Sequence, residues 1–265
     1  MINKKQLGSV LIIVLIIVFL MSAMSTLIIK KSLIALQSAT SHQVQQLLLQ
    51  DADAAIFHLE DPKTLQENLT SNGVLNFVLA EHNWDKELVF CYQGKAPQLY
   101  TMNQASVIQI TNDHQIFNHE LGHAGYCRID QHHNFFSSDR KVVMTQIALR
   151  VNADHQVTSP FTMKTKSVAT QIEQASQIKN ITMIVTSSLP AMSSASDNEI
   201  NLCFSTHMNQ IVSLGAKTAL TDIEQSVSQC LQQLGIPVHT QRMTYQVVHP
   251  PNGDIQVIAQ GWFIQ

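Results

Sequence analysis

SVLIIVLIIVFLMSAMSTLII, residues 9–29, carries no charged side chain. Basic residues flank it: Lys4 and Lys5 before, Lys30 and Lys31 after. As a helix, these 21 residues would extend about 32 Å at 1.5 Å per residue, enough for a hydrocarbon layer of roughly 30 Å. Secretory signals have a shorter apolar core followed by a small-residue cleavage site. Here the small residues Ser22, Ala23 and Ser25 are scattered inside the run. The expectation is a membrane-spanning helix over 9–29. Its lysines tie at the two ends, so charge alone does not orient it.

Neither Gly nor Pro occurs after Ser9 until Pro62. Val44, Leu48, Ala52, Ala55 and Leu59 recur at three- and four-residue steps, one apolar stripe of a helix. One helix is therefore expected over 9–61, apolar all round in its first half and amphipathic in its second, with Pro62 ending it. The second half suits docking on a globular part.

The chain has 265 residues, 45% hydrophobic, 13% charged and of formal net charge −3, with twelve His. The charged share is about half the usual one. A nucleic-acid partner would call for a basic face, which this balance does not offer. No Gly-rich phosphate loop and no G-x-S-x-G nucleophile turn occurs.

The four cysteines, Cys91, Cys127, Cys203 and Cys230, all lie beyond the apolar run. An even number in an extracytoplasmic part reads as two disulfides. Three pairings are open, of which Cys91–Cys127 with Cys203–Cys230 joins nearest neighbours. Each of those loops would contribute about 3–4 kcal/mol by restricting the unfolded chain.

The short basic leader ending in Gly8, followed at once by the long apolar helix, resembles a type IV prepilin. The resemblance implies cleavage by a prepilin peptidase between Gly8 and Ser9, removing residues 1–8. Most pilins carry Glu at the fifth mature position, where this chain has Ile13. PilX-like minor pilins and the K-type minor pseudopilin of type II secretion commonly lack that Glu. The stretch LLQDADAAI, residues 48–56, is similar to the alanine-rich run of PilX-like proteins, with Asp53 at its acidic place. The resemblance covers roughly residues 1–61. It implies a non-enzymatic minor pilin that helps initiate pilus assembly at or near the tip and supports adhesion or motility. It also implies other minor pilins, the major pilin and a tip adhesin as partners, and no cofactor. The expected location is the bacterial inner membrane, single-pass, with residues 62–265 in the periplasm and the subunit then incorporated into the pilus. The K-type pseudopilin is the alternative.

Beyond residue 61, strand character marks 86–92, 105–111, 125–130, 141–152 and 179–186, which are rich in β-branched residues. Residues 187–197 read as a linker or exposed loop. Residues 218–234 keep a helical period up to Gly235-Ile236-Pro237. Residues 242–249 and 254–264 flank Pro250-Pro251-Asn252-Gly253, a hairpin signal. The fold class expected is α+β: a long pilin-like N-terminal helix, its first half in the membrane, packed on an antiparallel sheet.

One motif points elsewhere. His119-Glu120-Leu121-Gly122-His123 is a literal H-E-x-x-H, which on a helix presents two zinc-binding imidazoles and a general base. A membrane-anchored zinc hydrolase is the rival of a different class. Its third ligand is missing where one large group places a His, since Ile129 stands there, and where another group uses a downstream Glu, Glu173 is the only Glu before Glu199. Two glycines, Gly122 and Gly125, each cost a helix about 1 kcal/mol. An exposed turn or short helix before a strand is therefore expected, with His114, His132 or His133 as further donors if a metal were held there.

Overall fold

The computed structural model describes residues 7–70, 72–93, 101–110, 116–122, 125–130, 142–151, 177–209, 225–249 and 256–264. The chain divides into two compact units, residues 1–46 and 47–265. Helix α1 is continuous over Leu7–Glu60, 54 residues.

The expected membrane span is corrected here. Among the described residues no helix is long and apolar enough to cross a membrane. The single-pass inner-membrane placement rested on that span and falls with it. The fold class is accordingly a mixed helical and antiparallel-sheet arrangement, without the membrane-spanning apolar half.

In the second unit α1 behaves as its stripe dictates. Leu48, Ala52, Ala55, Ile56 and Leu59 are buried. Burying each Leu or Ile contributes about 1.5–3 kcal/mol. α1 ends at Glu60, just before Pro62 as expected, and a separate helix begins at once. The Asp61 carboxylate accepts from the Thr64 N–H at 3.1 Å and caps a new helix, α2 (Pro62–Asn68), with Pro62 in its first turn. Proline suits that position because its missing N–H would be unpaired there anyway. A short α3 (Val74–Leu79) follows.

Seven strands form one antiparallel sheet: β1 (Glu87–Cys91), β2 (Ser106–Ile110), β3 (Ile116–Glu120), β4 (Met144–Val151), β5 (Gln177–Ser188), β6 (Val238–His249) and β7 (Gln256–Ile264). Their order is β3-β2-β1-β4-β5-β6-β7. β4 is the middle strand, and the longest ladder is β5–β6, in register from Gln177↔His249 to Ser188↔Val238. The β6–β7 pair slips register between Met243 and Tyr245. The hairpin tip, residues 250–253, lies outside the described residues.

Alternation of side chains divides the sheet into two faces. On one, Met144 packs with Ile200, Cys203, Phe204, Val227, Leu231 and Ile236, drawn largely from α4 (Asp197–Thr206) and α5 (Val227–Gln233). On the same face Ala148 packs with Val89, Ile108, Ile184 and Met208. On the other face the second half of α1 is held by polar contacts. Gln241 donates its amide to Asp53 at 3.0 Å, Tyr245 its hydroxyl to Glu60 at 2.9 Å, and Tyr92 its hydroxyl to the Ala54 carbonyl at 3.3 Å.

Three further expectations change. Residues 125–130 are irregular rather than a strand: the Cys127 N–H donates to the Gln146 side chain at 3.0 Å instead of to a ladder. A side chain at Gly125 would collide with the Ser106 hydroxyl, so the close crossing needs glycine. Of the linker or exposed loop expected over 187–197, residues 193–196 are irregular and largely exposed, but the two ends belong to regular elements. Ser187 and Ser188 end β5 fully buried, and Ser196 caps α4. Of the helix expected over 218–234, α5 takes Val227–Gln233, and 218–224 lie outside the described residues.

Candidate assembly surface

The H-E-x-x-H motif does not sit on a helix. Phe117, Asn118, His119 and Glu120 belong to β3, paired with β2 through His119↔Val107 and Glu120↔Ser106. Consecutive strand residues point to opposite faces, so His119 and Glu120 diverge. His119 is exposed and stacks on Phe117, ring centroids 6.4 Å apart. Glu120 is ion-paired with Arg128, whose guanidinium also lies 4.6 Å over the Tyr126 ring. The Leu121 N–H then donates to the Ala105 carbonyl at 2.9 Å. Gly122 follows where a side chain would run into the Asn103 carbonyl. The glycine of the motif thus serves a close backbone approach. The expected turn or short helix is a strand end followed by a bend. Among the described residues no group of three His, Cys, Asp or Glu side chains could hold a metal ion. His114, His123, His132, His133 and Glu173 lie outside the described residues.

The surface that does stand out is apolar. In the first unit Leu11, Ile12, Ile13, Val14, Leu15, Ile16, and on through Leu20 and Met21, are all exposed, from 47% at Ile17 to 72% at Phe19. Exposure runs round every side of the helix, so this is a sleeve rather than a stripe. Contiguous apolar surface of this kind marks a place where other molecules pack. Ile13, at 53% exposed, belongs to that sleeve and brings no carboxylate to it. Gly8 and Ser9 lie within the α1 backbone.

The cysteines form the nearest-neighbour pairs, Cys91–Cys127 and Cys203–Cys230, with Cα–Cα distances of 4.7 and 5.6 Å. All four belong to the core on the α4–α5 face, Cys230 being the most exposed of them. Two disulfides point to an oxidising environment, extracellular or periplasmic. An open depression beside α5 is lined by Gln225, Gln229, Gln232 and Gln233, which bring no titratable group for acid–base chemistry.

One buried acid escaped the sequence reading. The resemblance draws attention to Asp53, yet Asp51 is the more deeply buried, 9% exposed. The signal was available: Leu48, Asp51 and Ala55 are spaced three and four apart, so they share one helix side. Burial pushes the Asp51 carboxyl up to about 6. Burial, and then the Asp51 charge, raise Tyr92. His239 is lowered by burial, with Asp53 opposing.

Compared with known proteins, the chain matches no family model, no curated protein and no solved structure.

Proposed function

We propose that the chain is a non-enzymatic subunit of a type IV pilus-like filament, a minor pilin that helps start assembly at or near the tip. The observation that carries this reading is the apolar sleeve of residues 11–25. Such a surface is unfavourable in water by about 25 cal/mol per Å² of apolar area, and like helices from neighbouring subunits remove it from water. The chemistry needed is packing alone. The partners on this reading are other minor pilins, the major pilin, a tip adhesin, and the prepilin peptidase that matures the chain.

Ile13 bears on position. In most pilins the Glu at that place matches a neighbour's N-terminal amine inside the helix bundle. An isoleucine supplies no such charge, and a buried unpaired ammonium is costly. A subunit with Ile13 therefore fits best where no amine has to be matched, as at the end of a filament.

The test is the mature N-terminus. The chain is co-expressed with an active prepilin peptidase and analysed by mass spectrometry. The expected product begins at Ser9. Retention of residues 1–8 in the presence of demonstrably active enzyme overturns the reading.

A further inference from the structure

We propose that β3 is a pairing edge, at which a second copy of this chain adds its own β3 antiparallel, in the register that sets Asn118 against Asn118. β3 ends the sheet order, with β2 on one side and no strand on the other among the described residues. The Leu121 N–H donates to the Ala105 carbonyl, which fixes the phase of the β2–β3 ladder. In that phase Phe117 and His119 turn their N–H and C=O groups to β2. Ile116, Asn118 and Glu120 turn theirs outward, where no backbone bond meets them among the described residues. Natural sheets blunt such edges with Lys, Pro or a bulge. Residues 116–120 hold neither Lys nor Pro, and their pairing with β2 runs without a slip.

The side chains favour a second copy in this register. The outward backbone groups of the two Asn118 residues then bond to each other, as do those of Ile116 and Glu120. Phe117 falls opposite His119 of the second copy, twice by symmetry, at the positions where cross-strand side chains come closest. Both are exposed, Phe117 to 50%, and they already stack within one chain, so pairing continues that stack across the interface. Glu120 is the one charged residue of the strand. It meets Ile116 rather than a second Glu120, and its carboxylate is already held by Arg128. A register centred on Glu120 would oppose two like charges instead.

Exposed apolar groups flank the strand on both faces of the sheet. Phe117 lies on one. On the other, Asn118 donates its amide to the Ser205 carbonyl at 3.1 Å, which brings α4 over β3. Leu202 lies one helical turn from Ser205 and is 55% exposed. Joining two sheets at β3 takes apolar surface out of water on each face as well as pairing the backbone. The strand has 5 residues, a small interface, so the dimer is reversible rather than obligate. The inference is independent of what the first half of α1 assembles with.

The experiment is photocrosslinking of the full chain in mild detergent. The photoreactive aromatic benzoylphenylalanine replaces His119, and unlabelled and isotope-labelled chains are mixed before illumination. The expected product joins residue 119 of one isotopic form to residues 116–118 of the other. Crosslinks confined to one isotopic form, or joining residue 119 of one form to a segment of the other outside β3, overturn the proposal. Phe117→Lys removes both aromatic pairs and sets a cation on the edge, so the yield of the mixed product falls at least about tenfold. Asn118→Pro removes an outward N–H that the β2 ladder does not use, and the yield falls although Phe117 is still present. Phe117→Tyr keeps the ring and keeps the yield. A Phe117→Lys or Asn118→Pro chain that crosslinks at the unsubstituted level overturns the proposal. Every readout is taken at β3, so a negative result here leaves the maturation test at Ser9 unaffected.

Discussion

Among single side chains, Gln146 has the largest structural task for its size. Its carbonyl takes the Cys127 N–H at 3.0 Å, and its amide reaches the Asn209 carbonyl at 3.4 Å. Asn209 in turn donates its backbone N–H and its amide to the fully buried Glu87 carboxylate, at 2.7 and 3.2 Å. Replacing Gln146 with the similarly sized Leu strands a buried N–H and a buried carbonyl, at a cost of about 2–3 kcal/mol. Urea denaturation reads this as a lower midpoint with an unchanged slope. Such a relay was not legible in the sequence, because residues 87, 127, 146 and 209 meet only once the sheet has formed. The zinc-like motif shows the converse. Its letters were legible, but their meaning depended on a helix that the β2–β3 ladder preempts, leaving His119 outward and Glu120 paired with Arg128.

The elements read best from sequence were those with several β-branched residues and a clear boundary: β1, β2, β4, β5, β6 and β7 all fall on or within two residues of expected runs, apart from extensions of β6 toward Val238 and of β5 toward Ser188. β3 was missed because Ile116–Glu120 has only two apolar residues, half-buried Ile116 and exposed Phe117, and so gives no alternation to count. α4 was missed because Ser- and Ala-rich sequence before it reads as loop. Yet Ser196 and Glu199 form a reciprocal capping box: the Ser196 N–H donates to the Glu199 carboxylate at 2.8 Å, and the Ser196 hydroxyl accepts from the Glu199 N–H at 3.4 Å. That Ser-x-x-Glu signature precedes Ile200, Cys203 and Phe204, and is legible without a structure. Ser196→Ala removes the cap and is expected to lower stability by about 1 kcal/mol, measured by thermal or urea unfolding at neutral pH. Ser196→Asp, which caps as well, restores most of the loss and separates capping from any other effect of the site.

For the molecule as a whole, the sheet and its disulfide-stapled face make a unit over residues 47–265 that accounts for its own stability, whereas residues 11–25 are exposed on every side. The cysteine pairing was reachable from spacing, and the second half of α1 from its stripe. The membrane span was not sustained: among the described residues no helix is long and apolar enough to cross a membrane. Lipid and a bundle of like helices offer the same chemistry to Leu, Ile and Val. The difference between the folded unit and the sleeve can be tested with one residue. Ile16, 53% exposed, contributes little to folding where it stands. In a bundle, Ile16→Asp would bury a carboxylate among apolar side chains, at a cost of several kcal/mol unless it takes up a proton. The variant is therefore expected to keep both disulfides and the wild-type urea midpoint of the folded unit while failing to enter filaments, read by immunoblotting of sheared filament fractions. Entry at the wild-type level would mean that the sleeve is not the packing surface. A lowered urea midpoint would mean that it is needed for the fold itself. Ile16→Leu, which keeps the apolar surface, should assemble normally and thereby show that the charge, rather than the loss of isoleucine, decides the outcome.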